Sequence, residues 1–412
     1  MNNAFSKFSR TLRFSLGAAS ISSLGGAMYG CSSSSNSAAP SVTTDASILD
    51  GTIATESGVA TLVDGSTPDS TADSASTIVQ QIVTETKLVA DTAEGGAPTV
   101  DPALVNPWGL AFNPSGPAWI ADNGTGLLTV WNGQVLGLQV TVPPPPGDAA
   151  GPAAPSGQIF NAAHATAFDG DVFIVATEDG TVSGWQPLDG STPTTATLRI
   201  DNSGANAVYK GLAILPTAPL TLAVADFHNN KISLFDTSYD PVKPDSGIAW
   251  TDPTVPAGYA PFNIVAIGTS VYVAFAKQDA AMHDGLLGPC EGALSVFTPT
   301  GTLVKSLVSV NGPLSSPWGI VVAPAVWGSL GGSLLVGNFG GGAINAFNPT
   351  TGVQLGQLAS SSGSPLAIGG LWGLAFSPIA NPDAGITTSQ LYFTAGPNAE
   401  MDGLFGFLTP AP

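Results

Sequence analysis

The feature that most constrains the fold is a short motif that returns along the chain. A Trp-Gly pair heads an apolar run in PWGLAF at 107–112, in PWGIVV at 317–322 and in LWGLAF at 371–376. Related heads align at HATAF (164–168), KGLAI (210–214) and FNIVA (262–266). The six head residues, spaced 46 to 56 positions apart, are Trp108, His164, Lys210, Phe262, Trp318 and Trp372.

Each head is followed by further short apolar runs. The second runs end at Asp122, Thr177, Asp226, Phe275, Asn338 and Ala395. The third runs end at an aromatic column made of Trp131, Trp185, Phe235, Phe297, Phe347 and Phe407, and in most repeats a fourth run follows. Four short antiparallel strands per repeat of this length are typical of a β-propeller blade. The sequence therefore predicts an all-β fold, a six-bladed β-propeller with four-stranded antiparallel blades.

The last repeat lacks an obvious fourth run. The apolar segment TKLVADT at 86–92 precedes the first head and can supply the missing strand. We expect this N-terminal strand to pair onto the last blade, because closing the ring removes an exposed sheet edge. The predicted propeller domain covers 84–412.

The N-terminal residues have the character of a targeting segment. Lys7, Arg10 and Arg13 precede a small, apolar stretch, which predicts a signal peptide over 1–30. Small residues before Cys31 suggest a lipobox with Cys31 as the lipidated residue; the alternative is an ordinary cleaved signal. Residues 31–83 are rich in Ser, Thr and Ala and are predicted to be a disordered tether. We expect an extracytoplasmic protein, either an envelope lipoprotein or secreted.

Charge excludes one class of partner. The formal net charge is −19, and only 9% of residues are charged. Such a chain repels phosphate backbones, so nucleic-acid binding is excluded. We expect a monomer that meets a membrane only through a lipid anchor. If Cys31 carries lipid, the second cysteine, Cys290, has no intrachain partner.

Two segments also carry a family resemblance. LVNPWGLAFNPSGPAWIADNGTGLLTVWNG and GLAILPTAPLTLAVADFHNNKISLFD resemble NHL-type propeller repeats. The stretch from about 86 to 408 is similar to an uncharacterised family of secreted bacterial six-bladed propellers with NPWGLA-type heads. The resemblance implies the fold and an extracytoplasmic location, and it implies no activity.

One face of such a propeller gathers the candidate binding residues. Antiparallel strands place the heads and the ends of the second runs together. Insertions at 142–163, 276–292 and 396–402 join this face, and so do His164, His228 and His283. The predicted channel-mouth residues are Trp108, Asp122, Asn123, His164, Lys210, Asp226, His228, Trp318, Asn338 and Trp372. The competing interpretation is structural: Trp-Gly pairs pack between blades, and the aspartates form turns.

Three function classes remain open. We favour a module that binds a small molecule, a glycan or an envelope protein at the mouth. The first alternative is a divalent-cation-dependent hydrolase or lactonase of the gluconolactonase-like kind, with Asp122, Glu178, Asp226 and Asn338 as ligands for an ion such as calcium. The second is a structural envelope scaffold. No G-x-S-x-G or H-E-x-x-H motif occurs, so enzymatic activity is the weaker expectation.

Overall fold

The structure, a computed structural model, describes residues 78–411 except 115, 149–150, 189, 244–249 and 382–384. The predicted signal peptide, Cys31 and nearly all of the tether lie outside this part of the chain. No helix in the described residues is long and apolar enough to cross a bilayer. The regular structure here is almost entirely β, as predicted.

The chain begins with two strands that stand apart from the repeats. These are β1 (Val79–Ala90) and β2 (Thr99–Val100). The strand β1 starts before residue 84, so the last residues of the predicted tether are part of the folded domain.

The next sixteen strands form four antiparallel sheets of four strands each. The first sheet holds β3 (Pro107–Phe112), β4 (Ala118–Asp122), β5 (Leu127–Trp131) and β6 (Val135–Thr141). The second holds β7 (Pro155–Phe160), β8 (Phe173–Thr177), β9 (Thr181–Trp185) and β10 (Thr197–Asp201). The third holds β11 (Tyr209–Leu215), β12 (Thr221–Asp226), β13 (Lys231–Phe235) and β14 (Pro241–Val242). The fourth holds β15 (Tyr259–Ile267), β16 (Ser270–Lys277), β17 (Gly292–Phe297) and β18 (Leu303–Val308).

The remaining strands belong to one larger mixed sheet. They are β19 (Pro317–Val322), β20 (Leu334–Asn338), β21 (Ile344–Phe347), β22 (Gln354–Ala359), β23 (Leu371–Phe376), β24 (Leu391–Ala395) and β25 (Leu404–Pro410). Short 3-10 turns cover Ala93–Gly95, Phe168–Gly170, Ser203–Ala205 and Gly328–Leu330, and a single helical turn covers Pro397–Glu400.

The strand β1 joins the two halves of the mixed sheet. Its residues 83–90 pair antiparallel with β25, which confirms the predicted partner of the N-terminal strand. The strand ends at Ala90 and not at residue 92. Its first residues, 79–82, pair parallel with β22, an addition that the sequence did not suggest. One strand therefore protects the edges of two neighbouring repeats.

Every first strand carries a register shift at its head. The shift falls between Pro107 and Leu110 in β3, and the equivalent position is shifted in the other five first strands, β7, β11, β15, β19 and β23. Such a β-bulge inserts an extra residue and turns the strand locally. The residues before the heads pair with the predicted ends of the second runs, for example Pro107 with Asp122 and Pro317 with Asn338.

The predicted head of the second repeat, His164, is wrong. The first strand of this repeat is β7, so the head is Ser156-Gly157 and not His164. His164 follows the opposite end of β7, away from the other heads. The sequence PSGQIF has Ser156 where three other heads have Trp, and Gln158 where the other first strands have Leu or Ile, so its hydropathy pattern does not predict a strand. The Pro-x-Gly signature shared with PWGLAF was the better signal.

Five of the six heads are followed by a glycine, which permits close approach of the next repeat. A Cβ atom on Gly109 would lie 2.6 Å from the Ser156 carbonyl oxygen, and one on Gly373 would lie 2.7 Å from that of Trp108. Where the fourth repeat has Asn263 instead, its Nδ2 donates to the Trp318 carbonyl at 2.6 Å. The first strands therefore touch in succession, and β23 also contacts β3.

Apolar side chains fill the spaces between neighbouring sheets. The predicted aromatic column ends the third strands, and Trp131, Trp185, Phe235, Phe297 and Phe347 are all buried there. Phe407 lies inside β25 and is half-buried. These interfaces hold the first strands in place and so position the residues at their heads.

Candidate functional site

The heads of the first strands meet in an aromatic plug, made of Trp108, Phe227, Phe262, Trp318, Phe339 and Trp372. Trp108 and Trp372 stack with ring centroids 3.5 Å apart, and Phe339 stacks on the other side of Trp372 at 3.9 Å. Trp318 meets Trp108 edge-on at 6.1 Å. The three tryptophans of the Trp-Gly heads are buried, so their main contacts are with one another.

A buried lysine lies against this plug. The Lys210 side chain is 1% exposed, and its Nζ lies 4.9 Å from the Trp108 ring centroid. The ring centroids of Phe227 and Phe262 are 5.7 and 5.8 Å away. A cation over aromatic faces is stabilised by their negative electrostatic potential, more strongly when water is excluded.

Acidic groups surround the lysine from two other elements. Glu178, directly after β8, forms an ion pair with Lys210, and Asp284, in the insertion after β16, lies 3.5 Å from its Nζ. His283 Nδ1 is 3.1 Å from Asp284 Oδ1. We call Glu178, Lys210, His283 and Asp284 the mouth cluster.

Side-chain amides extend the mouth cluster across two more loops. Asn123 Nδ2 donates to Glu178 Oε2 at 2.9 Å. Asn106 Nδ2 donates to Asn123 Oδ1 at 3.3 Å and to Glu400 Oε2 at 3.0 Å. The indole N–H of Trp372 donates to Asn106 Oδ1 at 3.1 Å, which ties this network to the plug.

The charges in the mouth cluster shift one another's pKa. Burial by itself raises the pKa of Glu178, but Lys210 and His283 outweigh it, so the net shift is downward. Burial lowers the pKa of Lys210, and Glu178 and Asp284 outweigh it, so the net shift is upward. The pKa of His283 is also raised, because its bond to Asp284 and the field of Glu178 exceed the effect of burial. Each shift favours the charged form of its group.

The mouth cluster contains three candidate metal ligands. One ligand atom from each of Glu178, His283 and Asp284 lies within 4.8 Å of the others. Two carboxylates and an imidazole suit a divalent cation. The Lys210 ammonium is in contact with Glu178, however, and a divalent ion at the same carboxylates would meet its repulsion.

The predicted metal quartet is not brought together. Asp122 is completely buried, neither of its carboxylate oxygens makes a hydrogen bond of normal geometry, and burial raises its pKa well above the usual range. Asp226 closes the turn after β12 by accepting from the Asn229 side chain at 3.0 Å. Asn338 Oδ1 accepts from the Ser315 amide at 2.9 Å. Of the four predicted ligands, Glu178 alone joins the mouth cluster: Asp226 and Asn338 bond to turn and loop groups, and Asp122 is buried outside the cluster.

The three histidines do not converge either. His164 bonds to the Asn161 carbonyl at 2.9 Å at the far end of β7. His228 is half-buried after β12 and does not belong to the group of candidate metal ligands. Among the described residues, His283 is the histidine that reaches the mouth cluster.

Exposed apolar side chains stand in the insertions beside the mouth cluster. Met282, Leu286 and Leu287 flank His283 and Asp284 in sequence, and Met401 follows Glu400. Leu287 is 65% exposed and Met401 54%. Exposed apolar groups beside a cluster of polar groups are typical of surfaces that meet a ligand or a partner.

Two viral proteins are similar in sequence to about three quarters of this chain. "Uncharacterized protein R648" of Acanthamoeba polyphaga mimivirus is 33% identical over 331 residues, which cover 77% of this chain and 78% of that protein. "Uncharacterized protein L690" of the same virus is 32% identical over 319 residues, covering 75% and 81%. The chain belongs to the family of these mimivirus proteins. These relatives are viral, so they lend no support to the bacterial origin that the sequence resemblance implied. No family model matches the chain.

Solved structures share the propeller-like arrangement at low similarity. Virginiamycin B lyase from Staphylococcus aureus is 12% identical, with 80% of this chain and 100% of that chain covered and a TM-score of 0.46. A structure described as glucose dehydrogenase is 15% identical, with the same coverage and a TM-score of 0.49.

Several residues of the mouth were not predicted from the sequence as binding residues. Asp284, Asn106 and Glu400 were not predicted, and Glu178 was considered only as a metal ligand. Asn123 and Glu178 directly follow second strands, so the position after each second run was a usable signal. Asp284 and Glu400 lie in irregular loops, and the paths of such loops do not follow from the periodic pattern of the repeats.

Proposed function

We propose that the chain is a six-bladed β-propeller that acts as a binding module through its channel mouth. The succession of contacts from β3 through β23 and back to β3 supports a closed ring of six blades. In that ring the mixed sheet comprises the last two blades, with β1 completing the final one. The mouth is the end of the ring at which the aromatic plug and the mouth cluster lie. A closed ring needs no second chain to cover its sheet edges, so the proposed protein is a monomer.

The ligand we propose is a small amphipathic molecule, or a segment of a partner, that carries an ammonium or hydroxyl-rich group. The observation that carries this proposal is the excess of acid around Lys210, since the three acids Glu178, Asp284 and Glu400 outnumber Lys210 and His283. The exposed Met282, Leu286, Leu287 and Met401 offer apolar contact beside these acceptors. An anion would be repelled here, and a ligand with a cationic end and an alkyl body would find partners for both.

This function predicts a charge-selective binding experiment. Hexylamine, hexanol and hexanoate are titrated into the protein by calorimetry at pH 7.5. We expect hexylamine to bind best and hexanoate not to bind. Asp284→Asn removes one partly exposed acceptor, which costs about 1 kcal/mol, or roughly fivefold in affinity.

The matched control is Asp240→Asn. Asp240 is an exposed aspartate in the turn after β13, at the end of the third sheet opposite the mouth. It should leave hexylamine binding unchanged. Equal binding of hexanoate and hexylamine, or equal effects of the two variants, would contradict the proposed selectivity.

A metal-dependent hydrolase or lactonase is the second candidate. The convergence of Glu178, His283 and Asp284 favours it, and the ion pair with Lys210 opposes it. Calcium or zinc binding by the wild-type protein that is lost in Glu178→Gln would support this candidate. Absence of both metal and hexylamine binding would leave the structural scaffold as the remaining interpretation.

We also propose that the protein works outside the cytoplasm. The predicted signal peptide over 1–30 supports this location, and in an oxidising compartment Cys290 can form a disulfide. The sequence contains one other cysteine, Cys31, so an intrachain disulfide and a lipidated Cys31 exclude each other. Intact-mass spectrometry before and after reduction distinguishes the disulfide from the lipidated form. Added acyl mass at Cys31 would support the lipoprotein, and a gain of two hydrogens without acyl mass would exclude it.

A further inference from the structure

A second compartment lies behind the aromatic plug, in the centre of the domain. It is a cavity of about 300 Å³ lined by the first strands of all six repeats. Its walls include Leu110 of β3, Ile159 of β7, Ile214 of β11, Val265 of β15, Ile320 of β19 and Leu374 of β23. A volume of this size is at the lower end of the range for small-molecule sites.

The cavity is separate from the mouth cluster. None of Glu178, Lys210, His283 and Asp284 belongs to its lining. Trp318 takes part in both the plug and the cavity wall, so the plug forms the partition between the two compartments. Binding in this cavity is therefore independent of the function proposed for the mouth.

One polar side chain in the cavity wall has no partner. Gln158 of β7 is 6% exposed, and neither its Oε1 nor its Nε2 makes a hydrogen bond with any described residue. The indole N–H of Trp318, in the same wall, is also unpaired among the described residues. A buried amide without partners is costly, so such groups in native proteins usually meet a ligand or an ordered water.

We propose that the central cavity binds a small uncharged molecule with an apolar body and one carboxamide or lactam group. None of the described lining residues is charged, and a charged ligand would lose its hydration without a counter-ion. A ligand amide matches the Gln158 amide, since each offers one acceptor oxygen and N–H donors. The aliphatic walls supply contact for the rest of the molecule.

The ligand enters from the end of the domain opposite the mouth. The plug closes the end at which the heads lie. Leu110, Ile159, Ile214 and Val265 line the cavity and are only half-buried, in contrast to the tryptophans of the plug. Solvent therefore reaches these side chains from the ends of the first strands that lie away from the heads.

The experiment uses three probes of one shape. Cyclohexanecarboxamide, cyclohexanecarboxylate and methylcyclohexane are tested by saturation-transfer NMR and calorimetry on the full chain. We expect the carboxamide to bind and the carboxylate not to bind. Gln158→Leu should weaken the carboxamide at least about tenfold, because two hydrogen bonds are lost, and should leave methylcyclohexane binding unchanged or stronger.

Two further variants keep the test decisive. Gln139→Leu changes an exposed glutamine of the outer strand β6 and should have no effect on any probe. Ile214→Trp fills part of the cavity and should abolish binding of the carboxamide without touching the mouth. If the wild-type protein binds no carboxamide, the cavity holds only water and the proposal is wrong. Equal carboxamide affinity in Gln158→Leu and wild type would also overturn it.

Discussion

Removal of β1 should destroy the soluble monomer. A protein that begins at residue 92 loses the strand that pairs with both β22 and β25, so two sheet edges become unpaired. It also loses the buried side chains of Val83 and Val89, each worth about 1.5–3 kcal/mol. Long unpaired edges recruit other chains, so we expect aggregation together with a large fall in melting temperature.

The matched control begins at residue 78 and keeps the whole of β1. It should remain monomeric by light scattering and melt like the full chain. If the protein that begins at residue 92 also stays monomeric and its melting curve is unchanged, β1 does not complete the ring and the closure proposed here is wrong.

Lys210→Met should be the most damaging single substitution at the mouth. It leaves Glu178, whose side chain is 9% exposed, as a buried carboxylate without its counter-ion. Breaking a buried ion pair from one side typically costs about 3–5 kcal/mol. The double variant Lys210→Met, Glu178→Gln removes both charges and should recover most of that loss, because Gln can still accept from Asn123. Chemical denaturation measures all three proteins.

An exposed ion pair of the same chemistry supplies the control. Lys277 Nζ lies 2.6 Å from Glu291 Oε1, and both side chains are partly exposed. Lys277→Met should change the free energy of unfolding only slightly, since water screens such pairs. A similar effect of Lys210→Met and Lys277→Met would contradict the importance assigned to the buried pair.

The same pair makes stability depend on pH at both extremes. The pKa of Glu178 is lowered, so its contribution is present above its ordinary value near 4.5 and is lost as the pH falls through the folded-state pKa. The pKa of Lys210 is raised, so its contribution is present below its ordinary value near 10.5 and is lost as the pH rises through the folded-state pKa. In the double variant, the free energy of unfolding should therefore depend less on pH at both acidic and alkaline pH.

Repetition made most of the fold predictable. Each Trp-Gly head, each second-strand end and the aromatic column recur at similar spacing, so errors in one repeat are corrected by the others. The predicted head of the second repeat was wrong because Ser156 and Gln158 interrupt the apolar pattern, although the Pro-x-Gly signature is intact. The parallel pairing of 79–82 with β22 had no signal, since nothing local in those residues specifies a partner near residue 356.

The mouth was only half predictable. Lys210, Trp108 and Asn123 were found because strand ends are fixed by the repeat. Asp284 and Glu400 were missed because they sit in irregular insertions, where side-chain positions depend on the folded loop. The carboxylates of Asp122 and Asp226 were misread because a sequence does not distinguish an oxygen that faces a ligand from one that is buried or that closes a turn.

The pairing of β1 with β25 also has a consequence for how the chain matures. Val83 lies opposite Pro410, so the two partners are more than three hundred residues apart. The earliest strand to be synthesised must wait for the last one, and contacts of such long range slow folding. During synthesis β1 therefore stays without its antiparallel partner until β25 has been made. In the six-bladed ring proposed above, closure therefore comes last, and a chain whose C-terminal strand is delayed keeps the edges of β1 and β22 apart from their final arrangement.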